Sequence, residues 1–119
     1  ENLLVYGRYF GMKDRDIKAR IANLLEFGAL TSKAKAKPGE LSGGMKRRLS
    51  LARALINDPL LIMGEEPTGN LDKKNSEIVF NIFQELAEVY KQTLLIVTHD
   101  NEFAARTTRI IEMEDGHIK

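Results

Sequence analysis

Residues 60–67 of the chain read LLIMGEEP: four apolar residues, a glycine, two glutamates and a proline. A short continuous apolar run of this kind is typical of a strand that is buried on both faces, as in a parallel sheet. The two acids follow at the carboxyl end of that strand, where α/β proteins place their ligands. Glu65 and Glu66 are therefore candidate site residues, although in isolation they also fit a solvated acidic turn.

Two further segments extend this pattern into an alternation of strands and helices. Residues 93–97 form a second apolar, β-branched run, which predicts another buried strand. Between the two runs, residues 72–90 place apolar side chains at intervals of three and four, which predicts a helix capped by Asp72 or Asn75. Strands that alternate with helices in this way indicate an α/β fold with a parallel core.

The C-terminal part of the chain predicts only small elements. A short helix is expected over residues 102–106. Apolar segments at residues 109–113 and 117–119 flank Asp115 and Gly116, a pair that favours a tight hairpin turn. We therefore expect a C-terminal β-hairpin after the parallel core.

The N-terminal half of the chain predicts helices instead. Apolar residues recur at helical spacing within residues 2–12 and, more regularly, within residues 14–27. A third helix is expected to end before Pro59, because the residue that precedes a proline disfavours helical backbone angles. We therefore divide the chain into a helical segment, residues 1–58, and an α/β segment, residues 59–119.

The composition excludes several classes of protein. The chain has 119 residues, of which 43% are hydrophobic and 29% are charged, as in ordinary soluble globular proteins. Its net charge of +1 gives no support to a nucleic-acid binder or a binder of anionic membranes. Because cysteine is absent, disulfide scaffolds and thiol-based sites are excluded. No apolar run approaches the length of a membrane span, and we expect no signal peptide at the N-terminus.

The residues before the third predicted helix suggest an anion site. Residues 41–45 read LSGGM and open that helix. Two glycines allow a ligand to approach the backbone closely, and the first N–H groups of a helix lie at the positive end of its dipole. Glycine turns that merely cap a helix are also common, so both interpretations stay open for this motif alone.

A histidine follows the second predicted strand. His99 lies in the sequence THD, residues 98–100, where it could contact a phosphate or a water molecule. A lone histidine more often forms a structural hydrogen bond, so this signal is moderate by itself. The order and spacing of all these motifs make the stronger case.

That order resembles the nucleotide-binding subunits of ATP-binding cassette (ABC) transporters. Residues 41–55 look like the signature motif and its helix, and residues 60–67 look like the Walker B strand with its acidic end. Residues 69–72 resemble the D-loop, and His99 matches the switch histidine. The resemblance implies a partial P-loop NTPase fold, α/β in class, in which a helical subdomain precedes a parallel-strand core and a C-terminal hairpin.

The resemblance also implies catalytic roles, carried over position by position. Glu66 would be the carboxylate that polarises the attacking water, and His99 would contact the γ-phosphate of ATP in its own subunit. Glu65 would occupy the magnesium-linked position, where the family usually has aspartate.

A second set of residues would bind the nucleotide from across a dimer interface. Ser42, Gly43 and Gly44 would contact the γ-phosphate of ATP held by the opposite subunit. Met45 completes the motif at a position where the family usually has glutamine. Asp72 would communicate across the interface between the two subunits.

One part of the family's pattern does not occur in these 119 residues: the phosphate-binding motif Gly-x-x-x-x-Gly-Lys-[Ser/Thr]. That loop supplies a backbone cradle and a lysine to the phosphates. The resemblance therefore places the chain in the second half of a nucleotide-binding domain, and we expect the isolated chain to lack appreciable ATPase activity. We also expect it to self-associate, because a strand edge of the parallel core would lack its neighbour.

For the complete protein, the resemblance implies ATP and Mg²⁺ as cofactors. It implies a second nucleotide-binding domain and transmembrane transporter subunits as partners, no nucleic acid, and a position at the cytoplasmic inner face of a membrane. The alternative is a non-catalytic or engineered structural module derived from an ABC ATPase. DNA-maintenance ATPases with the same signature fit less well, because the sequence has no long coiled-coil insertion.

The two halves of the chain resemble different subfamilies. Residues 1–63 look most like ATPases of nodulation-factor exporters, whereas the sequence from residue 64 onward looks more like those of lipoprotein-releasing systems. We therefore hypothesise from the sequence that the chain has a chimeric origin.

Overall fold

The structure is a computed structural model and describes residues 2–119. Helices and strands alternate along the second half of this range, and helices alone occupy the first half. The α-helices span Asn2–Tyr9 (α1), Asp14–Phe27 (α2), Gly43–Leu55 (α3), Lys73–Glu88 (α4) and Asn101–Ala105 (α5). The strands span Leu61–Glu65 (β1), Thr93–Val97 (β2), Met113–Glu114 (β3) and His117–Ile118 (β4).

Helix beginnings follow the capping residues of the sequence. The side chain of Ser42 accepts a hydrogen bond from the Met45 amide and begins α3, and that of Asp72 accepts one from the Asn75 amide and begins α4. Such caps satisfy amide groups that have no acceptor within the helix. Within the described range, no helix has the length and apolar character needed to cross a membrane.

β1 and β2 form a parallel pair, which confirms the predicted parallel core. Leu61 pairs with Thr93 at one end of the register, and Glu65 pairs with Val97 at the other. α4 connects the two strands. Both carboxyl ends therefore lie at the same edge of the sheet, and the residues that follow them are neighbours in space.

The prediction that both strands are buried on two faces is wrong. In β1, Ile62 is 4% exposed whereas Met63 is 70% exposed, and β2 alternates in the same way. The inner face packs on the helices, but nothing within residues 2–119 covers the other face. We call this outer surface the open face; its exposed apolar side chains are Leu61, Met63, Leu95 and Val97.

The hydrophobic core joins the helical segment to the α/β segment. α3 and α4 supply most of its members, while Leu3 comes from α1 and Ile62 from β1. The Cα radius of gyration is 15.2 Å, larger than the roughly 13.5 Å expected for a compact chain of this length. The core is therefore continuous, but it lies on only one side of the β1–β2 sheet. The division of the chain at residue 58 stays a prediction.

One charged side chain lies in this core. Arg48 on α3 is 6% exposed, and its Nε and Nη1 atoms have no hydrogen-bond partner among the described residues. Burial lowers the pKa of its guanidinium, since the charged form is the one that loses hydration. An unpaired buried charge of this kind destabilises the fold.

The end of α4 differs from the prediction. Val89 was expected on the buried apolar face but is 68% exposed, because the helix ends at Glu88 and the chain leaves the core there. The five residues of α4 that are buried are Val79, Phe80, Ile82, Phe83 and Leu86.

The predicted C-terminal hairpin is present but short. Met113 pairs with Ile118 and Glu114 pairs with His117 in antiparallel orientation. Asp115 and the following glycine have φ angles of 49° and 79°, as a type I′ turn requires. The segment just before β3 was expected in the strand, but only Met113 and Glu114 form the strand on that side of the hairpin.

α2 ends on a left-handed residue that is not glycine. Ala29 has a φ of 53°, while the amide of Leu30 donates to the carbonyl of Leu25 at 2.7 Å. This hydrogen-bond pattern closes a helix when the residue after the cap adopts the left-handed region. The left-handed conformation is costly for an alanine because of its Cβ atom.

Candidate functional site

The centre of the candidate site is the residue that follows β1. Glu66 leaves the strand with a φ of 44°, a left-handed conformation that is costly for any residue with a side chain. Its amide nevertheless continues the sheet, since it donates to the carbonyl of Val97 at 2.8 Å. Its carbonyl accepts from the amide of Gly69 at 2.9 Å, which closes a tight turn over residues 66–69.

The Glu66 carboxylate contacts the residues that follow β2. The hydroxyl of Thr98 donates to Oε2 at 2.9 Å. The amide of His99 donates to Oε1 at 2.7 Å, and Nδ1 of the same residue lies 2.8 Å from Oε1. The two predicted catalytic residues are thus brought together at the shared edge of the sheet.

These contacts set the protonation of the acid. Burial by itself would raise the pKa of the Glu66 carboxyl, but hydrogen bonds from Thr98 and His99 outweigh burial and hold that pKa below its ordinary value. The His99 side chain is 90% exposed, whereas that of Glu66 is 32% exposed. The arrangement is an ionised acid held in place, beside an imidazole that is accessible from solvent.

The beginning of α3 forms the second part of the site. The Ser42 hydroxyl oxygen accepts from the Met45 amide at 3.2 Å, which leaves its own O–H free to donate. Ser42 and Gly43 are exposed. The amides of Gly43 and Gly44 belong to the first helical turn and have no preceding carbonyl to accept them. Together these groups could bind an anion, which is one of the two interpretations that the sequence leaves open for this motif.

Gly44 packs against the beginning of α4. A Cβ atom placed on Gly44 would lie 2.6 Å from Cγ of Asn75, closer than side chains approach one another. Asn75 is fixed by Asp72, whose carboxylate accepts from its backbone amide at 2.8 Å and from its side-chain Nδ2 at 2.9 Å. These hydrogen bonds lower the pKa of Asp72. The structure thus brings Gly44 and Asp72 together through Asn75.

Glu65 lies apart from both groups. It ends β1 with an exposed side chain, and its carboxylate forms neither a hydrogen bond nor an ion pair with any described residue. Among residues 2–119, no three histidines or acids lie close enough together to hold a metal ion. Mg²⁺ commonly uses only one or two carboxylates together with substrate phosphates, so the free carboxylate of Glu65 fits that mode of binding.

Sequence reasoning missed three residues of this region. Thr98 contacts the Glu66 carboxylate, and Asn75 was considered only as a cap. Arg47 on α3 donates to the carbonyls of Glu66 and Gly69. The position of Thr98 directly before His99, at a strand end, was an available signal, but nothing in the sequence pairs Arg47 with a turn about 20 residues away.

The fold and the site define a class of protein. A parallel strand pair with an acid and a histidine at one edge, preceded in the chain by a helix that begins with Ser-Gly-Gly, is the arrangement expected of an ABC ATPase. The family model of the ABC transporter matches residues 1–69. The chain belongs to the ABC transporter family, as part of its ATPase domain.

Curated relatives come from two transport systems. The chain is 52% identical over 117 residues to the Nod factor export ATP-binding protein I of Rhizobium sp. (strain N33), covering 98% of this chain and 38% of that protein. It is 43% identical over 118 residues to the lipoprotein-releasing system ATP-binding protein LolD of Treponema pallidum (strain Nichols), covering 99% of this chain and 52% of that protein. The chain therefore spans about two fifths to half of these relatives.

A solved structure confirms the fold. The ATP-binding cassette MJ0796, in a dimeric post-hydrolysis state bound to ADP and phosphate, matches with a TM-score of 0.76 at 35% identity. The match covers 91% of this chain and 47% of that one. The alignments to both groups of curated relatives cross residue 64 without a break, so they do not confirm a chimera.

Proposed function

We propose that this chain forms part of the ATP-hydrolysing subunit of a transporter and carries the acid and the histidine of its site. The observation that best supports this function is the contact between Glu66 and His99. These residues are 33 positions apart in the sequence, yet they meet at the edge of a parallel sheet where α/β folds bind ligands.

In this proposal Glu66 polarises the water that attacks the γ-phosphorus of ATP. Its lowered pKa keeps the carboxylate ionised at neutral pH, so that it can accept a hydrogen bond from that water. His99 has an exposed ring that could turn from Oε1 of Glu66 toward the γ-phosphate. That movement would free one carboxylate oxygen for the water.

Mg²⁺ would be held by Glu65 together with phosphate and water oxygens. The exposed, unpaired carboxylate of this residue supports that assignment. The ion, when bound, would neutralise charge on the phosphate oxygens during transfer. Glu65 itself would fix the position of the ion relative to β1.

The beginning of α3 would serve a second ATP, bound by another copy of the domain. Ser42, Gly43 and Gly44 would donate to its γ-phosphate, and Met45 would form the end of that surface. Asp72 would lie near the same interface, since Asn75 connects it to Gly44. The partners would then be a second nucleotide-binding domain and transmembrane subunits, with the assembly at the cytoplasmic face of a membrane.

The test uses the complete subunit that contains these residues. We expect Glu66→Gln to lower the rate of ATP hydrolysis by about 10²-fold or more while ATP binding is retained, because only the ionised carboxylate is lost. Glu112→Gln changes an exposed glutamate in the same way and should leave the rate unchanged. Hydrolysis by Glu66→Gln at the unsubstituted rate would contradict the proposal.

The 119-residue chain by itself should hydrolyse little ATP, since it contains no phosphate-binding loop motif. A phosphate-release assay with saturating Mg-ATP checks this expectation, and turnover that vanishes in Glu66→Gln would overturn it. The open face should also drive self-association. A molar mass of 13.4 kDa by light scattering at every concentration would exclude self-association.

A non-catalytic structural module derived from an ABC ATPase is the second candidate. The same missing motif favours it for the 119-residue chain, because ATP would lose its strongest phosphate contacts. Calorimetric titration with a non-hydrolysable ATP analogue separates the two functions. Micromolar binding to this chain would exclude the structural module.

A further inference from the structure

One side chain connects α3 to the turn that follows β1. Arg47 donates from Nη1 to the carbonyl of Glu66 at 3.2 Å and from Nη2 to the carbonyl of Gly69 at 3.0 Å. These carbonyls are the first and last of the turn over residues 66–69, which the Gly69 amide also closes. The half-buried guanidinium therefore bridges both ends of the turn, and we call this arrangement the arginine bridge.

The turn needs such support because of its backbone. Glu66 has a φ of 44°, and a non-glycine residue in this region persists only where surrounding contacts hold it. Arginine suits the task because its planar fork presents two donors at a fixed separation, so little freedom is lost in the second hydrogen bond. A lysine ammonium at the same place has no such fork.

The backbone of Glu66 determines where its carboxylate lies. Oε1 and Oε2 meet His99 and Thr98 at distances between 2.7 and 2.9 Å, so a small rotation of the turn would break these hydrogen bonds. The arginine bridge acts on the carbonyl of the same residue. It thereby holds the carboxylate without touching it.

We propose that Arg47 is a positioning residue for the acid of the ATP site, and that it connects this acid to the helix whose first turn carries Ser42. The inference rests on the proposed function. Ser42 and Glu66 would serve two different ATP molecules in the dimer, so a shift of α3 caused by phosphate at one site would reach the acid of the other through Arg47.

The chain offers a matched control for this role. Arg20 on α2 donates to the carbonyl of Leu55 at 2.8 Å and to that of Ile56 at 3.1 Å, and it also pairs with Asp58. It therefore connects a helix to a backbone turn by the same chemistry, but away from Glu66. Arg20→Met and Arg47→Met should both destabilise the fold, whereas only the second should affect the site.

The first measurement needs no nucleotide. In the complete subunit, we expect Arg47→Met to speed hydrogen exchange about tenfold at the amides of Gly69 and His99, both of which donate to Glu66. Arg20→Met should leave these two amides unchanged. Unaltered exchange in Arg47→Met, or an equal increase in Arg20→Met, would overturn the positioning role.

The second measurement is the rate of ATP hydrolysis by the same variants. We expect Arg47→Met to lower kcat about ten- to a hundredfold with little change in KM, because a misplaced acid slows the chemical step more than binding. Arg47→Lys should recover only part of kcat, and Arg20→Met should keep it within about twofold. A full kcat in Arg47→Met would refute the inference.

The two proposals fail in different ways. If Glu66→Gln hydrolyses ATP normally, the proposed function is wrong, whatever Arg47 does. If Glu66→Gln is inactive while Arg47→Met keeps its full kcat and its slow amide exchange, the function stands and the arginine bridge has no positioning role.

Discussion

Oε1 of Glu66 lies 2.7 Å from the amide nitrogen of His99 and 2.8 Å from its Nδ1 atom. The first residue follows β1 and the second lies just beyond β2, so the parallel register of the two strands creates this contact. A backbone amide holds the carboxylate even when the imidazole turns away. The contact of the carboxylate with the backbone amide therefore does not depend on the orientation of the imidazole ring.

The Glu66 carboxylate should stabilise the fold in a pH-dependent way. Burial by itself would raise the pKa of this group in the folded state, but hydrogen bonds from Thr98 and His99 outweigh burial and lower that pKa. The stabilisation of the fold by the ionised carboxylate is therefore fully present above the unfolded-state pKa of about 4.3. It is lost as the pH falls through the pKa of the folded state, which is lower. We expect the difference in urea midpoint between the unsubstituted chain and Glu66→Gln to be largest at pH 7 and to shrink below about pH 4.

Glu65→Gln is the matched control, because this carboxylate has no hydrogen-bond partner among the described residues. The difference in urea midpoint between Glu65→Gln and the unsubstituted chain should be small at every pH. A difference for Glu66→Gln that grows on acidification would show that the carboxylate is not held as an ion.

Ser42→Asp should separate helix capping from phosphate binding. Aspartate caps a helix as well as serine does, so thermal stability should change by less than about 0.5 kcal/mol. Its negative charge would oppose the γ-phosphate, and ATP-dependent dimerisation of the complete subunit should be lost. Ser42→Ala should lose about 1 kcal/mol in stability and should weaken this dimerisation without abolishing it, because it removes one donor to the phosphate and adds no negative charge. Normal ATP-dependent dimerisation of Ser42→Asp would argue against a phosphate at this position.

Gly44→Ala should destabilise the contact between α3 and α4. The added Cβ atom would lie 2.6 Å from Cγ of Asn75, so the side chain or the helix must move, at a cost of about 1–3 kcal/mol. Chemical denaturation should show a smaller cost in an Asn75→Ala background. Gly39→Ala adds a Cβ atom into open space and serves as the control. Equal effects at the two glycines would contradict the close packing.

Ala29→Gly should stabilise the protein. Glycine avoids the left-handed penalty at φ 53°, and about 0.5–1 kcal/mol should remain after the greater freedom of the unfolded chain is counted. Ala34, with a φ of −54°, is the control: glycine there gains nothing and should lower stability slightly. Thermal unfolding of both variants checks the sign, and destabilisation by Ala29→Gly would contradict the helix ending described above.

Arg48→Met should stabilise the 119-residue chain. Methionine fills a similar volume and removes two buried nitrogen atoms without acceptors, which together cost about 1–3 kcal/mol. The free energy of unfolding in urea measures the gain. If Arg48→Met is less stable than the unsubstituted chain, the guanidinium is not an uncompensated charge.

Much of the secondary structure could be predicted from the sequence. The predicted bounds of α2 and β2 agree with the structure, and Asp72 caps α4 as one of two expected candidates. Apolar periodicity and capping are local properties, so a few neighbouring residues suffice to specify them. The type I′ turn at Asp115 is local in the same sense.

Burial was harder to predict. The apolar run of β1 fits burial on both faces, but burial depends on which elements cover each face of a sheet. Met63 is exposed because the described helices cover only the inner face. A run of hydrophobic residues indicates that a strand can be buried, but it does not specify which elements cover each face.

The sequence by itself determined the class of fold and the order of the motifs, and it selected Glu66 and His99 as candidate site residues. Only the tertiary structure decided that Glu66 adopts a left-handed backbone, that Thr98 shares its carboxylate, and that Arg47 holds its turn. The physical reason is the separation along the chain. Periodicity and capping depend on residues within a few positions of one another, whereas these hydrogen bonds join residues that are 19 to 33 positions apart. Such contacts exist only after α3, β1 and β2 have packed together.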